Sequence, residues 1–435
     1  MHRVFKTTFW TTKKLLVLSA ISTLLYVVLR SETFMRLYVP YGDERSFLEA
    51  LGQIKANGFI TAWSNGSISP SFYSISYPFT LCFDNPLYGL RLVSLICTIL
   101  TLILLYNFAK YKLQLKDVYL YSSLVLILNF LGYRIFWQGI NDDFLHLLIV
   151  YSVLLLYNIK KSKKIKYVIL LGITIGLIIG TRVSAFIILP GYIFFLYKDF
   201  KTTFIVGIIA LSVGFCLHAP SLLKNKLLSD VNKDPKNGLT WAQLNYVSQL
   251  HIYEGKIPEH TRLTWEELET YIEENGSDNL PKTFIESITF NWNYSIKEFF
   301  NDLWFTLHSI LFRFFGLGLF IILGFSIYML KKGNGLNENL KFNKSFFLFF
   351  WCYTFLLCFV VLTSLEVRWY TAFIFLGILF FHQLLENFQE FNIKIKPELI
   401  VNINLILLLC YQAKFILTDS NLLSDVLRKI APSIF

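Results

Sequence analysis

Long apolar runs alternate with short polar joints along nearly the whole chain. Eleven runs stand out: 15–29, 89–107, 118–132, 144–158, 167–180, 183–197, 202–218, 305–330, 345–363, 369–385 and 399–417. A helix needs about 20 residues to cross a bilayer core about 30 Å thick. In lipid, each such segment must also satisfy its own backbone polar groups. The pattern therefore predicts an all-α polytopic membrane protein, a helical bundle of about 11 transmembrane helices. The first run lacks a small-residue cleavage site and is expected to stay as an anchor. Gly172, Gly176 and Gly180 recur every fourth residue, giving one flat helix face for close packing. The short run that carries them is expected to be buried among its neighbours.

Two polar segments interrupt the runs, 31–88 and 219–304, and both are expected on the same membrane face. The domain reading that follows has three parts. Residues 1–218 form a transmembrane module with the loop 31–88, residues 219–304 an outer helical cap, and residues 305–435 the last transmembrane helices. In the first loop Asp43 and Glu44 precede Phe47, Ala50, Leu51, Ile54 and Gly58, which recur at helical spacing. The two acids should open a short helix lying on the membrane surface. In the cap, Thr240 with Gln243, Thr264 with Glu267, and Ser295 with Glu298 have the spacing of capping boxes. Gly276 is placed to stop the middle helix.

The composition, 55% hydrophobic and only 16% charged over 435 residues, excludes a soluble domain of this size. A net charge of +11 would suit nucleic acid, but the charges sit in joints between apolar runs, where topology accounts for them. Lysines gather on one side: Lys110, Lys112 and Lys116; Lys160, Lys161, Lys163, Lys164 and Lys166; Lys341 and Lys344. By the positive-inside rule that side is cytoplasmic, and so is the N-terminus. The cysteines have neither metal-ligand spacing nor a disulfide framework.

Acids cluster at run ends on the other side, as Asp43 with Glu44, Asp142 with Asp143, and Glu366; none is expected inside a span. Ten of the 11 arginines map to that same side. Arg91, Arg134, Arg182, Arg313 and Arg368 lie in or beside apolar sequence, with Arg313 inside the run Leu311-Phe312-Arg313-Phe314-Phe315. A guanidinium holds phosphate through a planar fork, where lysine is a point charge. Arginines at headgroup depth suit a lipid phosphate.

Four stretches, in this order and sidedness, carry a family resemblance. They are Gly42-Asp43-Glu44-Arg45 with Gly58; Gly139-Ile140-Asn141-Asp142-Asp143; Gly176 through Gly180-Thr181-Arg182 with Ala185 and Pro190; and Glu366-Val367-Arg368-Trp369-Tyr370. Together they resemble the GT-C glycosyltransferases, within them the protein O-mannosyltransferase and lipid A aminoarabinose transferase branch. The large C-terminal outer domain of some relatives is not expected here. The resemblance implies transfer of a hexosyl or pentosyl group from a polyprenyl-phosphate sugar donor to a glycan, lipid or protein acceptor. It implies the outer face of a bacterial inner membrane, among membrane lipids and without nucleic acid.

The residues suit that chemistry. Attack on an anomeric carbon needs a base for the acceptor proton, and positive charge for the departing phosphate. Asp43 is the expected base, giving inversion by direct displacement, and Glu44 is expected to position sugar or acceptor hydroxyls. Asp142 and Asp143 are expected to bind the acceptor or a divalent cation, although the mechanism requires no metal and no metal ligands are assigned. Arg182 and Arg368 are expected on the carrier phosphate, with Arg313 and Tyr370 also lining the substrate site. A helix cap is the plainer role for either acid pair. Two rival functions use the same arginines. A lipid-linked glycan flippase should show an internal repeat or midplane charges, and neither is evident. A glycan polymerase or ligase would rely on Arg and His in large outer loops.

Overall fold

The computed structural model describes residues 12–35, 39–64, 69–133, 136–226, 238–259, 261–331, 338–363, 365–388 and 395–418. Arg134 of the sequence reading lies outside them. Among the described residues the chain is helical, with no strand. In order the helices are α1 (Thr12–Met35), α2 (Glu44–Asn57), α3 (Phe59–Ser64), α4 (Pro70–Thr80), α5 (Pro86–Asn107), α6 (Asp117–Tyr133), α7 (Asp142–Ser162), α8 (Ile165–Thr181), α9 (Ile193–Leu196) and α10 (Phe200–Asn225). There follow α11 (Trp241–Tyr253), α12 (Trp265–Asn275), α13 (Phe284–Thr289), α14 (Trp292–Phe305), α15 (Phe312–Phe315), α16 (Gly318–Lys331), α17 (Glu338–Cys358), α18 (Thr371–Glu386) and α19 (Pro397–Thr418).

Five helical segments are long and apolar enough to cross a membrane: Thr12–Arg30, Pro86–Lys112, Asp142–Ser162, Phe200–Lys224 and Val367–Glu386. A sixth crossing results if Trp292–Phe315 and Gly318–Tyr328, bent by 110°, form one span. That measure does not reach the count of eleven, for two physical reasons. Asp117–Gly132 and Ile165–Thr181 are apolar but short. The run 183–197 is a 3₁₀ helix, Val183–Tyr192, followed by the four residues of α9. At about 2.0 Å per residue, against 1.5 Å in an α-helix, that thin helix still extends roughly 26 Å in all.

The glycine face works as its spacing implies. α8 lies along α10. A methyl group added at Gly172 would come within 2.7 Å of Ile209, and one at Gly176 within 2.5 Å of Val213. α1 packs on α6 and α19, joined by a buried polar knot. There Gln412 Nε2 donates to Thr23 Oγ1 at 2.8 Å and to Asn129 Oδ1 at 3.0 Å, and Ser22 donates to Gln412 Oε1 at 2.5 Å. Such interhelical hydrogen bonds replace the hydrophobic drive that lipid removes.

α7 and α18 are the most enclosed spans. α18 is apolar on every side and buried from Thr371 to Leu385, as a helix wrapped by other helices must be. α7 carries Asp142 and Asp143 in its first turn and Lys160 and Lys161 in its last. The acidic and basic ends of the bundle are thus separated by one helix roughly 31 Å long.

The cap has a small core of its own, built on Leu244, Val247, Leu263 and Leu268 and closed by Val361 of the bundle. Two of the three predicted capping boxes form, at Thr240 with Gln243 and Thr264 with Glu267. Gly276, at φ 82°, ends α12. The third does not form: α14 begins earlier, capped by Asn291. Ser295 lies inside the helix, donating to the Ile288 carbonyl at 2.8 Å. The helix runs on without a break from Trp292 to Phe315, so Glu298 and Asp302 lie on the helix that leads into the run 305–330, ahead of its start.

Candidate active site

The first acid pair sits where a turn enters α2. Gly42 supplies the left-handed conformation, φ 55°, that the turn needs. Asp43 then occupies the N-cap position, but its side chain makes no capping hydrogen bond. Its carboxylate reaches Arg368 Nη2 at 2.7 Å instead and remains 56% exposed. Helix capping therefore does not account for Asp43.

Glu44 has a different position. It is fully buried and shares two bonds with Arg91, Nε to Oε1 at 2.8 Å and Nη2 to Oε2 at 2.7 Å. Backbone amides complete the shell, Gly139 donating to Oε1 at 2.7 Å and Tyr41 to Oε2 at 2.8 Å. Each oxygen accepts two hydrogen bonds, so its lone pairs are taken. Arg91 in turn lies over the Trp137 ring, 4.8 Å from its centroid. Glu44 thus fixes α2 to α5 and to the loop that leads into α7. That loop runs close, since a side chain at Gly139 would come within 2.7 Å of Leu90 Cβ. The expectation that Glu44 meets substrate hydroxyls is revised: its oxygens are committed to the scaffold.

The second acid pair opens α7. Asp142 is buried and bridges two guanidinium groups, Arg182 Nη1 at 2.8 Å and Arg368 Nη1 at 3.2 Å. A divalent cation does not fit there, because the carboxylate already faces two cations. Asp143, also buried, faces His146 Nδ1 at 3.8 Å. His146 Nε2 lies 2.8 Å from the Arg368 carbonyl. A carbonyl only accepts, so Nε2 carries the proton in that bond. Thr371 donates to the same carbonyl at 2.9 Å.

Arg368 is the hub. It lies just ahead of α18, within the 3₁₀ turn Val367–Tyr370. It touches three carboxylates: Asp43, Asp142 and Glu366, the last through Nε and through Nη2 at 3.1 Å. Arg182 takes its place where α8 gives way to the 3₁₀ segment in extended backbone. Its guanidinium lies over Trp369 at 5.6 Å. The acids thus gather at the N-terminal ends of the two most enclosed helices, where the macrodipoles favour negative charge.

The cap adds one cation. Arg262, between α11 and α12, donates Nε to Thr363 Oγ1 at 3.3 Å and lies over Trp241 at 5.0 Å. It is open to solvent, yet desolvation lowers its pKa against the opposing pull of Glu366 and Asp43. Among the described residues no carboxylate is in contact with Arg262, whereas Arg368 touches three and Arg182 one.

Two expected site residues are placed elsewhere. Arg313 of α15 lies over Tyr411 of α19, 4.7 Å from the ring centroid. Tyr370 is fully buried, with its hydroxyl 3.2 Å from Thr306 Oγ1, and its ring meets Tyr353 edge-on. It packs behind the wall that carries Arg368. The sequence reading gave no role to His146 or Arg262, and it grouped Arg91 with the arginines suited to a lipid phosphate, whereas the structure pairs Arg91 with Glu44. His146 was within reach of a periodicity argument, one turn from Asp143. Arg262 had no local signal, because its hydrogen-bond partner Thr363 lies about a hundred residues away.

Among the described residues no group of three or more His, Cys, Asp and Glu side chains is placed to hold a metal ion. No curated protein matches the chain. A family model does, over less than half its length. That stretch, from α4 into α10, contains Arg91, Asp142, Asp143 and Arg182, and leaves Asp43, Arg262 and Arg368 outside. Residues 70–223 match the family described as dolichyl-phosphate-mannose-protein mannosyltransferase, a GT-C family of membrane glycosyltransferases.

Proposed function

We propose that this integral membrane protein transfers a sugar from a polyprenyl-phosphate carrier to an acceptor hydroxyl on the outer face of a bacterial inner membrane. The observation that carries the reading is the exposed Asp43 carboxylate held 2.7 Å from a guanidinium that also binds Asp142 and Glu366. One group that can take a proton thus stands beside groups that can take a phosphate.

The reaction is a single displacement. Asp43 takes the proton of the acceptor hydroxyl as its oxygen bonds to the anomeric carbon, and the bond from that carbon to the phosphate oxygen breaks on the opposite face. The configuration inverts, the polyprenyl phosphate departs as the anion, and Asp43 later returns its proton to solvent. Phosphate is a good leaving group, so no general acid is needed. Arg182, Arg368 and Arg262 hold the phosphate and stabilise its growing charge. Because Arg368 is shared, an arriving phosphate competes with Asp43 for it and frees the carboxylate lone pairs for the acceptor. Glu44 and Arg91 position Asp43 by fixing the start of α2. Lysines at the far ends of α5, α7 and α17 support an outer-side site by the positive-inside rule.

The test is a mass-spectrometric glycan profile of cells lacking the gene and carrying either the wild type or Asp43→Asn. Restoration by the wild type alone, at equal protein level, supports the base assignment, and the missing mass names the sugar. Equal restoration by both variants removes Asp43 from the mechanism.

A further inference from the structure

α14 is turned inside out relative to a surface helix of a soluble protein. Trp292, Ile296, Phe300 and Trp304 follow one another at single turns and are exposed. The opposite face buries Tyr294, Ser295, Glu298 and Asp302. α14 leads without a break into the apolar run that follows, so its aromatic stripe suits a lipid interface while its acids turn into protein.

Glu298 and Asp302, one turn apart, share that buried face. Glu298 Oε2 accepts from Gln249 Nε2 at 3.3 Å and from the Tyr253 hydroxyl, which itself accepts from Asn301 Nδ2 at 2.8 Å. Among the described residues Asp302 Oδ2 has no hydrogen-bond partner. Neither has Gln249 Oε1, on an amide that is more than nine-tenths buried and already against Glu298. One turn back on α11, Asn245 Oδ1 is buried without a partner as well. Among the described residues none of these three oxygens has a donor, and Glu298, Asp302 and Gln249 form a buried polar chamber. Lys297 lies outside it, 4.0 Å over the Tyr253 ring. Two buried carboxylates with spare lone pairs and an unpaired amide oxygen call for a positive charge between them.

The geometry points to a cation site formed by Glu298, Asp302 and Gln249 Oε1. Carboxylate and amide oxygens without sulfur or imidazole are the ligands of a hard cation, with Ca²⁺ the best fit to so irregular a set. Such an ion would tie α11 of the cap to α14. Thr306, one turn on from Asp302, meets the Tyr370 hydroxyl at 3.2 Å, so the tie would lie behind the wall that carries Arg368. It is separate from the acids of the proposed transfer site and does not depend on that function.

The experiment uses the purified full chain. Thermal unfolding is compared in chelator and with Ca²⁺, Mg²⁺ or Na⁺, alongside equilibrium binding of radioactive Ca²⁺. About 5 mM Ca²⁺ should raise Tm by about 1–3 °C, as for an extracellular-type site of submillimolar to millimolar affinity. Asp302→Asn should abolish that rise, while Asp142→Asn keeps it. If Asp302→Asn does not fold, Gln249→Leu tests the same chamber, and wild-type binding decides independently. Failure of the wild type to bind Ca²⁺, or a rise that survives both chamber variants, overturns the proposal. Stabilisation by acid with no response to any cation also overturns it and assigns the carboxyl pair a shared proton. The groups around that proton would be Tyr253, Tyr294, Lys297, Cys358 and Tyr370.

Discussion

Glu44→Ala separates a scaffold role for this residue from a catalytic one. The change removes the carboxylate paired with Arg91, whose side chain is 10% exposed, and takes two charge-assisted hydrogen bonds from a buried guanidinium. Breaking a buried pair in this way costs about 3–5 kcal/mol. The amides of Gly139 and Tyr41 lose their acceptor too, at about 1 kcal/mol or more each where water cannot replace it. These costs overlap, so a total near 4–6 kcal/mol is expected. Glu44→Gln is the sharper variant. Its amide oxygen still serves Gly139 and Arg91 Nε, but its NH₂ group faces Arg91 Nη2 and the Tyr41 amide, donor against donor. About 2–3 kcal/mol should go there. Unfolding of the purified protein in detergent, followed by tryptophan fluorescence, should place Tm in the order wild type, Gln, Ala. The Ala variant should fall by roughly 4–7 °C. Glu44→Met combined with Arg91→Leu should recover much of the loss, because an apolar pair can replace a buried ion pair. A Gln variant with unchanged Tm and abolished transfer would refute the reasoning and return Glu44 to the substrate.

Asp43→Asn should lower transfer by about 10²–10⁴-fold with Tm within a degree or two of wild type, since the side chain is largely exposed; a large fall in Tm would mean it is structural. Arg368→Lys keeps the charge but not a fork able to meet three carboxylates, so purified-enzyme kinetics should show both a lower kcat and a higher KM for the lipid donor. Arg262→Ala should chiefly raise KM for the lipid donor, and an unchanged KM would take it off the phosphate. Gly176→Leu forces α8 away from Val213 and should destabilise by about 1–3 kcal/mol, read as a lower Tm in detergent.

What could be read from the sequence was whatever depends on neighbours in the chain. The boxes at Thr240 and Thr264, the stop at Gly276 and the glycine face of α8 each need only residues within a few turns. The third box failed for a local reason as well: Asn291 and Ser295 both have cap chemistry, and the first to meet a helical run takes the position. Hydropathy measures length without direction. The run 305–330 looked like one span, while Gly316, at φ 52°, lies between helices that meet at 110°. The acids at run ends were legible as a set, since only those places bring carboxylates to one side of a membrane. Their partners were not. Arg313 and Arg368 look alike in sequence, each a lone arginine against apolar residues, and the bundle decides between them. Arg368 precedes the enclosed α18 beside the first turn of α7, where Asp142 stands, whereas Arg313 follows a π-helical turn and finds Tyr411 of the last helix. Three carboxylates drawn from loops and helix ends more than three hundred residues apart converge on one guanidinium. No window along the chain contains that fact, because it is a property of which helices are innermost.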